Sequence, residues 1–297
     1  MKHVQAMIIT AYRDYEGLSR MLGALSTRAL CFVHVDRKSD ITQAQTDRLD
    51  AMENVRAIRR YRINWGSVYH LHALLDLCCM ALEDPRVTHL HLISAQDFPT
   101  ISADAFERFF DGDTRIHMQY LTTADYPELA HRYEHFHFMH WLNYRDMGER
   151  AQSWVGRIDR WQDALHVRRR LSVPHKGLVW LSLPREAAEH AVCAPRNRRL
   201  LRRLRFTYIP EEFFFQNAFA GTPWEERITG DALRFSIWDE PQRGTPALLE
   251  EKDLARIDAS GCLFARKVDP GTALYEALEK RWLGEPPPEH KMLRYNT

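Results

Sequence analysis

The chain opens with an apolar run over residues 4–9 that ends in Thr10-Ala11-Tyr12, and a helical pattern follows with Leu18, Met21, Leu22 and Leu25 on one face. A second apolar run over 31–35 exits into the polar Asp36-Arg37-Lys38-Ser39, after which a helix is expected from 41 to about 52. Residues 55–58 read as a third strand. Trp65-Gly66-Ser67 opens a helix through Leu71, Leu74, Leu75 and Leu77, and 88–93 is a fourth strand ending in Ser94-Ala95-Gln96-Asp97-Phe98-Pro99. Strands alternating with helices at this spacing predict an α/β fold, a mostly parallel central sheet with helices on both faces. In such sheets ligands bind beyond the carboxyl ends of the strands, and Thr10, Asp36, Trp65 and Asp97 fall there.

The second half is less regular. Strands are expected over 178–183, 206–209, 233–237 and 263–265, and a helix over 211–219. No repeat or linker divides the chain. It therefore reads as a single domain over 1–284, with a nucleotide-binding half (1–120), an acceptor half (121–284) and a surface tail (285–297) opened by Glu285-Pro286-Pro287-Pro288, which cannot continue a helix.

Composition narrows the function. Hydrophobic residues at 45% and charged residues at 27% are those of an ordinary globular protein, and a net charge of +1 gives no global attraction to nucleic acid. Five cysteines, an odd number with three inside apolar runs, read as free thiols of a reducing compartment. The N-terminus carries no signal-peptide pattern and no run of about 18 apolar residues occurs, so a cytoplasmic protein is expected. Six arginines from Arg196 to Arg205, with Leu200, Leu201 and Leu204 between them, form an amphipathic basic helix. A solvated face is the simplest reading; contact with an anionic glycan or with the inner membrane surface is the other.

Five segments follow one another in a telling order: His34-Val35-Asp36-Arg37-Lys38-Ser39, Ser94-Ala95-Gln96-Asp97-Phe98-Pro99, the Pro-x-Glu-x-Phe pattern at Pro210-Glu211-Glu212-Phe213-Phe214, Leu233-Arg234-Phe235-Ser236-Ile237-Trp238, and Leu263-Phe264-Ala265-Arg266-Lys267. From about residue 4 to 268 this order resembles the core-2/I-branching β-1,6-N-acetylglucosaminyltransferases and the peptide O-xylosyltransferases, here as a bacterial member. The resemblance implies a GT-A-like fold and an inverting, metal-independent transfer from a UDP-sugar, the sugar being xylose or N-acetylglucosamine, to a glycan or protein hydroxyl with β-linkage. The UDP-sugar is then a co-substrate, and no cofactor or metal is expected.

Individual roles follow from the same resemblance. Glu212 becomes the base that takes the acceptor proton, with Glu211 as its neighbouring competitor; a plain helix start, where the dipole favours acids, is the alternative for both. Asp36 meets uracil or ribose, with Thr10, Lys38 and Ile63-Asn64-Trp65 around it. Thr245-Pro246 lies near the pyrophosphate, and Trp180 stands in Val179-Trp180 where xylosyltransferases read Asp-Trp, a departure at the donor-sugar contact. Asp97 is the lone carboxylate where cation-dependent relatives carry Asp-x-Asp, and one Asp is a poor site for a divalent cation. Arg234, Arg266 and Lys267 can instead supply positive charge to the departing diphosphate. Asp111-Gly112-Asp113 also spells Asp-x-Asp, but behind Phe109-Phe110 it reads as a turn at a helix end.

His131, His135, His137 and His140 crowd into ten residues with Glu134. Metal ligation is conceivable there, although the interleaved Arg132-Tyr133, Phe136, Phe138 and Trp141 favour an aromatic acceptor cleft or plain packing. Two rival functions therefore stand beside transfer: a catalytically inactive carbohydrate- or nucleotide-binding module, and a His-cluster metallohydrolase.

Overall fold

A computed structural model describes residues 4–143, 148–238 and 245–284; the start of the chain and the tail assigned to 285–297 lie outside the described residues. Strands β1 (Val4–Ala11), β2 (Ala29–Val35), β3 (Val55–Ile58) and β4 (Val87–Ser94) alternate with helices α1 (Tyr15–Leu25), α2 (Gln43–Asp50) and α3 (Val68–Leu82). The remaining strands are β5 (Asp97–Pro99), β6 (Ile116–Gln119), β7 (Leu121–Thr122), β8 (His175–Lys176), β9 (Ser182–Pro184), β10 (Ile228–Gly230), β11 (Arg234–Ser236) and β12 (Phe264–Arg266). The remaining helices are α4 (Ala103–Phe110), α5 (His131–Glu134), α6 (Glu149–Ala164), α7 (Arg185–Cys193), α8 (Pro195–Arg203), α9 (Glu211–Phe219), α10 (Leu254–Ser260) and α11 (Ala273–Trp282).

The central sheet has seven strands in the order β10-β6-β9-β4-β1-β2-β3. Every pairing is parallel except those of β9 with β4 and β6, so the expected α/β architecture with a mostly parallel sheet is present. The two-residue period of a strand divides its core between the faces. Met7 and Ile9 of β1 pack with α1, α4 and α11, while Ala6 and Ile8 pack with α3, α7 and α9. A three-stranded sheet, β11-β12-β5, and the β7-β8 pair complete the architecture. Strands from both halves of the chain share the seven-stranded sheet.

The irregular half departs from expectation in several places. Of the run 178–183 only the last two residues enter the sheet, in β9, antiparallel to β4. Residues 206–209 form no strand: a 3-10 turn over Leu204–Phe206 continues α8, and Ile209 sits at φ 53° immediately before Pro210. A proline disfavours the right-handed helical region for the residue before it, and the amide of Ile209 is held by the carbonyl of Gly66 at 2.9 Å. Gly66 is itself at φ +75°, and a Cβ there would meet the Tyr208 ring at 2.5 Å. Glycine is thus required for the 63–67 and 206–210 loops to touch. Helices α6, α7, α10 and α11 have no counterpart in the expected elements.

Candidate functional site

The carboxyl ends of β1, β2 and β4 gather the first group of side chains. Thr10 closes β1 with its hydroxyl 3.3 Å from Nε2 of His70 on α3. Asp36, just past β2, is buried, and its Oδ1 accepts from the amides of Lys38 (2.8 Å) and Ile63 (3.1 Å). One carboxylate oxygen thus builds the exit turn and ties it to the loop carrying Trp65. Trp65 is not a core residue: it is 37% exposed and meets Tyr208 edge-on at 5.3 Å.

The second group stands on β5 and β12, whose antiparallel register sets Arg266 opposite Asp97. Asp97 is fully buried. Its Oδ2 accepts from the Ser94 amide (2.6 Å), the Ser94 hydroxyl (2.5 Å) and Nη1 of Arg266 (2.7 Å), and its Oδ1 has no partner. The guanidinium of Arg266 lies 4.3 Å over the Trp180 ring, so a cation already faces the one carboxylate at this position. Lys267 is joined through its backbone to Ala247 and Leu249, which brings Thr245 and Lys267 into one corner.

Arg234, expected at the diphosphate, is taken up by the protein. Nη1 donates to the Ser182 hydroxyl (2.9 Å) and to the Ala232 carbonyl, Nη2 donates to the carbonyls of Leu181 (2.7 Å) and Leu92 (3.4 Å), and the group stacks 4.5 Å over Phe264. Burial lowers its pKa to about 9, which still leaves it charged at neutral pH. Arg234 is therefore a buried clamp between β4, β9 and β11, with both terminal nitrogens already engaged.

The third group opens α9. Pro210 is the N-cap, and the two glutamates behind it diverge, as neighbours about 100° apart on a helix must. Glu211 turns inward: it is 6% exposed, its Oε1 lies 2.9 Å from Nδ1 of His70, and its Oε2 is buried without a partner. Glu212 turns outward and forms an ion pair at 2.9 Å with Arg132, which stacks at 5.1 Å on Phe213. Its carbonyl accepts from the Gly177 amide. Lys176 stands near enough for Glu212 to raise its pKa, although burial dominates and lowers it, and its ammonium lies 4.4 Å from the Tyr126 ring. Glu212 is thus an accessible carboxylate between two cations beside aromatic rings.

Three residues of this site escaped the sequence. His70 joins Thr10, Glu211 and, at 6.2 Å, Trp180, yet in sequence it is one polar position among the leucines of α3. Arg132 was legible only as part of the histidine-rich stretch. Lys176 carries no pattern at all. The histidines themselves find protein partners: His137 donates to the His131 carbonyl (2.8 Å), and His135 lies 3.2 Å from Asp163. Burial lowers the pKa values of His137 and His140. No group of three His, Cys, Asp or Glu side chains suited to a metal ion occurs among the described residues, which leaves the metallohydrolase reading without a ligand set there. Asp111-Gly112-Asp113 is the expected turn, with Gly112 at φ +69° and Asp113 taken up by Arg115 and His117.

The family model described as "Branch: Core-2/I-Branching enzyme" matches residues 6–258. Among curated proteins, no sequence matches the chain. Three solved structures show distant likeness. Core-mannan synthase A from Aspergillus fumigatus in its Mn/GDP form is 11% identical, with 76% of this chain and 72% of that chain covered and a TM-score of 0.38. The bifunctional glycosyltransferase WbbM in its apo form is 12% identical, with 95% and 52% covered and a TM-score of 0.40. A 4-diphosphocytidyl-2C-methyl-D-erythritol synthase is 9% identical, with 74% and 96% covered and a TM-score of 0.33.

Proposed function

Because the chain belongs to the Core-2/I-Branching enzyme family and is a glycosyltransferase, we propose that it moves xylose or N-acetylglucosamine from a UDP-sugar to a hydroxyl of a glycan or protein, with inversion and without a metal ion. The reading is carried by the Asp97–Arg266 pair stacked on Trp180. It sets a guanidinium against the one carboxylate where a cation would otherwise be bound.

In this scheme Thr10, Asp36, Lys38 and Trp65 border the nucleoside, and Trp180 borders the donor sugar. Arg266, Lys267 and Thr245 border the diphosphate. Glu212 accepts the acceptor proton as the acceptor oxygen bonds to the anomeric carbon and the bond from that carbon to the diphosphate oxygen breaks. Charge growing on the leaving UDP is met by fixed cations. His70 holds Thr10 and Glu211 in place, which sets the direction in which Glu212 leaves α9. With soluble domain chemistry of this kind the proposed location is the cytoplasm.

The test is a panel of UDP-sugars offered with simple glycan and peptide acceptors. UDP release and the anomeric proton of the product are followed by NMR. Turnover with UDP-xylose or UDP-N-acetylglucosamine and a β-linked product is the expected result. UDP binding with no release from any donor would favour the inactive binding module, and an α-linked product would exclude a single displacement.

A further inference from the structure

Among the described side chains of helix α6 (Glu149–Ala164), polar groups meet the protein and large apolar groups face out. The most buried of its described side chains is polar: Gln162 is 8% exposed and exchanges two hydrogen bonds with the Phe136 backbone, accepting from the amide at 2.7 Å and donating to the carbonyl at 3.3 Å. Its acids are also held by the protein, Asp159 near His135 and His137 and Asp163 by His135 and Arg168. The large apolar side chains are left outside. Trp154 is 53% exposed, Trp161 58% and Leu165, just past the helix end, 73%. With the half-buried Ile158 they are spaced four, three and four residues apart, within an arc of about 60° at 100° per residue.

The border of this stripe is cationic. Arg157 stacks on Trp154 at 4.7 Å, and Arg157, Arg160 and Arg170 are exposed and form no ion pair among the described residues. Paired indoles beside arginines are the side chains of a bilayer interface, where an amphipathic ring sits at headgroup depth and a guanidinium meets phosphate. A second copy of the chain fits less well. Self-pairing of α6 would bring these arginines together, while Asp159 and Asp163 are already engaged by His135, His137 and Arg168. The arginine-rich α8 also differs, because Leu204 is buried and Leu200 and Leu201 are half-buried against the core. It offers charge without an apolar face. No described helix is long and apolar enough to cross a membrane.

We propose that α6 is an interfacial docking helix, which seats Trp154, Trp161 and Leu165 among the headgroups of an anionic bilayer with Arg157, Arg160 and Arg170 on the lipid phosphates. The test is co-sedimentation of the full chain with vesicles of phosphatidylcholine alone or containing phosphatidylglycerol, with soluble inorganic polyphosphate as a lipid-free polyanion. The wild type is expected to sediment with anionic vesicles and weakly with neutral ones. W154S/W161S and, separately, L165E are expected to reduce binding about tenfold or more at unchanged melting temperature. R157E/R160E should abolish the preference for anionic lipid. Sedimentation that survives both apolar variants but is lost in R199E/R202E, or that polyphosphate competes away completely, would overturn the proposal in favour of charge alone on α8. Absence of vesicle binding, with a dimer that W154S/W161S converts to monomer, would overturn it in favour of self-association.

Discussion

The two sides of the proposed site are built differently. On the proposed nucleotide side, Thr10 and Asp36 stand at the ends of strands in a parallel ladder and Asp97 opens β5, which pairs antiparallel with β12. A strand end leaves little choice of direction. On the proposed acceptor side, Glu212, Arg132 and Lys176 stand on a helix start, a one-turn helix and a two-residue strand. They are held largely by side chains bonded to backbone carbonyls: Arg132 to Tyr208, Arg169 to Tyr133 and His135, and Asn217 to His175. One side is positioned by secondary structure and the other by individual polar contacts. Single substitutions should therefore act locally on the first and spread on the second.

The sharpest division is between the adjacent glutamates. Glu212→Gln should lower turnover about 10²–10⁴-fold, the usual cost of losing a general base, with UDP affinity and melting temperature nearly unchanged. Glu211→Gln should retain most turnover and lose stability instead, since it disturbs the buried contact with His70. Kinetics and thermal unfolding of the two variants side by side would show the reverse pattern if the roles were exchanged.

Next in size is Arg234→Met. It removes the donors that Arg234 gives the carbonyls of Leu92, Leu181 and Ala232 and the Ser182 hydroxyl, and each hydrogen bond lost costs about 0.5–1.5 kcal/mol. A marked fall in denaturant midpoint is expected, with UDP affinity kept in the folded fraction. A loss of UDP affinity at unchanged stability would return Arg234 to the diphosphate. Lys267→Ala should do the opposite: about tenfold weaker UDP binding by calorimetry, from a charge-assisted contact of about 1.5–3 kcal/mol, and little change in stability.

The smallest effect concerns pH. Burial, with the nearby His70 adding to it, lowers the pKa of His34 to about 4, and its Nε2 accepts the Tyr61 amide at 2.9 Å. The folded pKa lies below the unfolded value near 6.5, so the unfolded chain binds more protons between the two. The contribution of His34 is therefore complete above pH 6.5, is lost as pH falls toward 4, and changes little further below that. Melting temperature should decline across this window, and His34→Gln should flatten that part of the profile.

The same contrast explains what could be read in advance. Residues 4–99 were legible because apolar runs of period two and helical patterns of period 3.6 coincide with what the fold buries, and their polar exits mark the site. The Pro-Glu-Glu-Phe start of α9 was legible as a helix with an acid pointing out of it. The run 206–209 looked like a strand from its β-branched and aromatic residues, but the contact with Gly66 and the following proline overrode that propensity. Helix α6 was hidden because its large described apolar residues, Trp154, Trp161 and, just past its end, Leu165, are exposed and the buried Gln162 is polar, so apolar periodicity did not point to burial. His70 was hidden because a histidine that links two elements leaves no mark in either one.

The central claim is that fixed cations, with Arg266 on Asp97, serve where other enzymes of this chemistry use a metal ion. Initial rates of transfer measured in excess EDTA, against the same reaction supplied with Mn²⁺ or Mg²⁺, test it most directly. The account predicts equal rates; turnover abolished by EDTA and restored by either cation would contradict it.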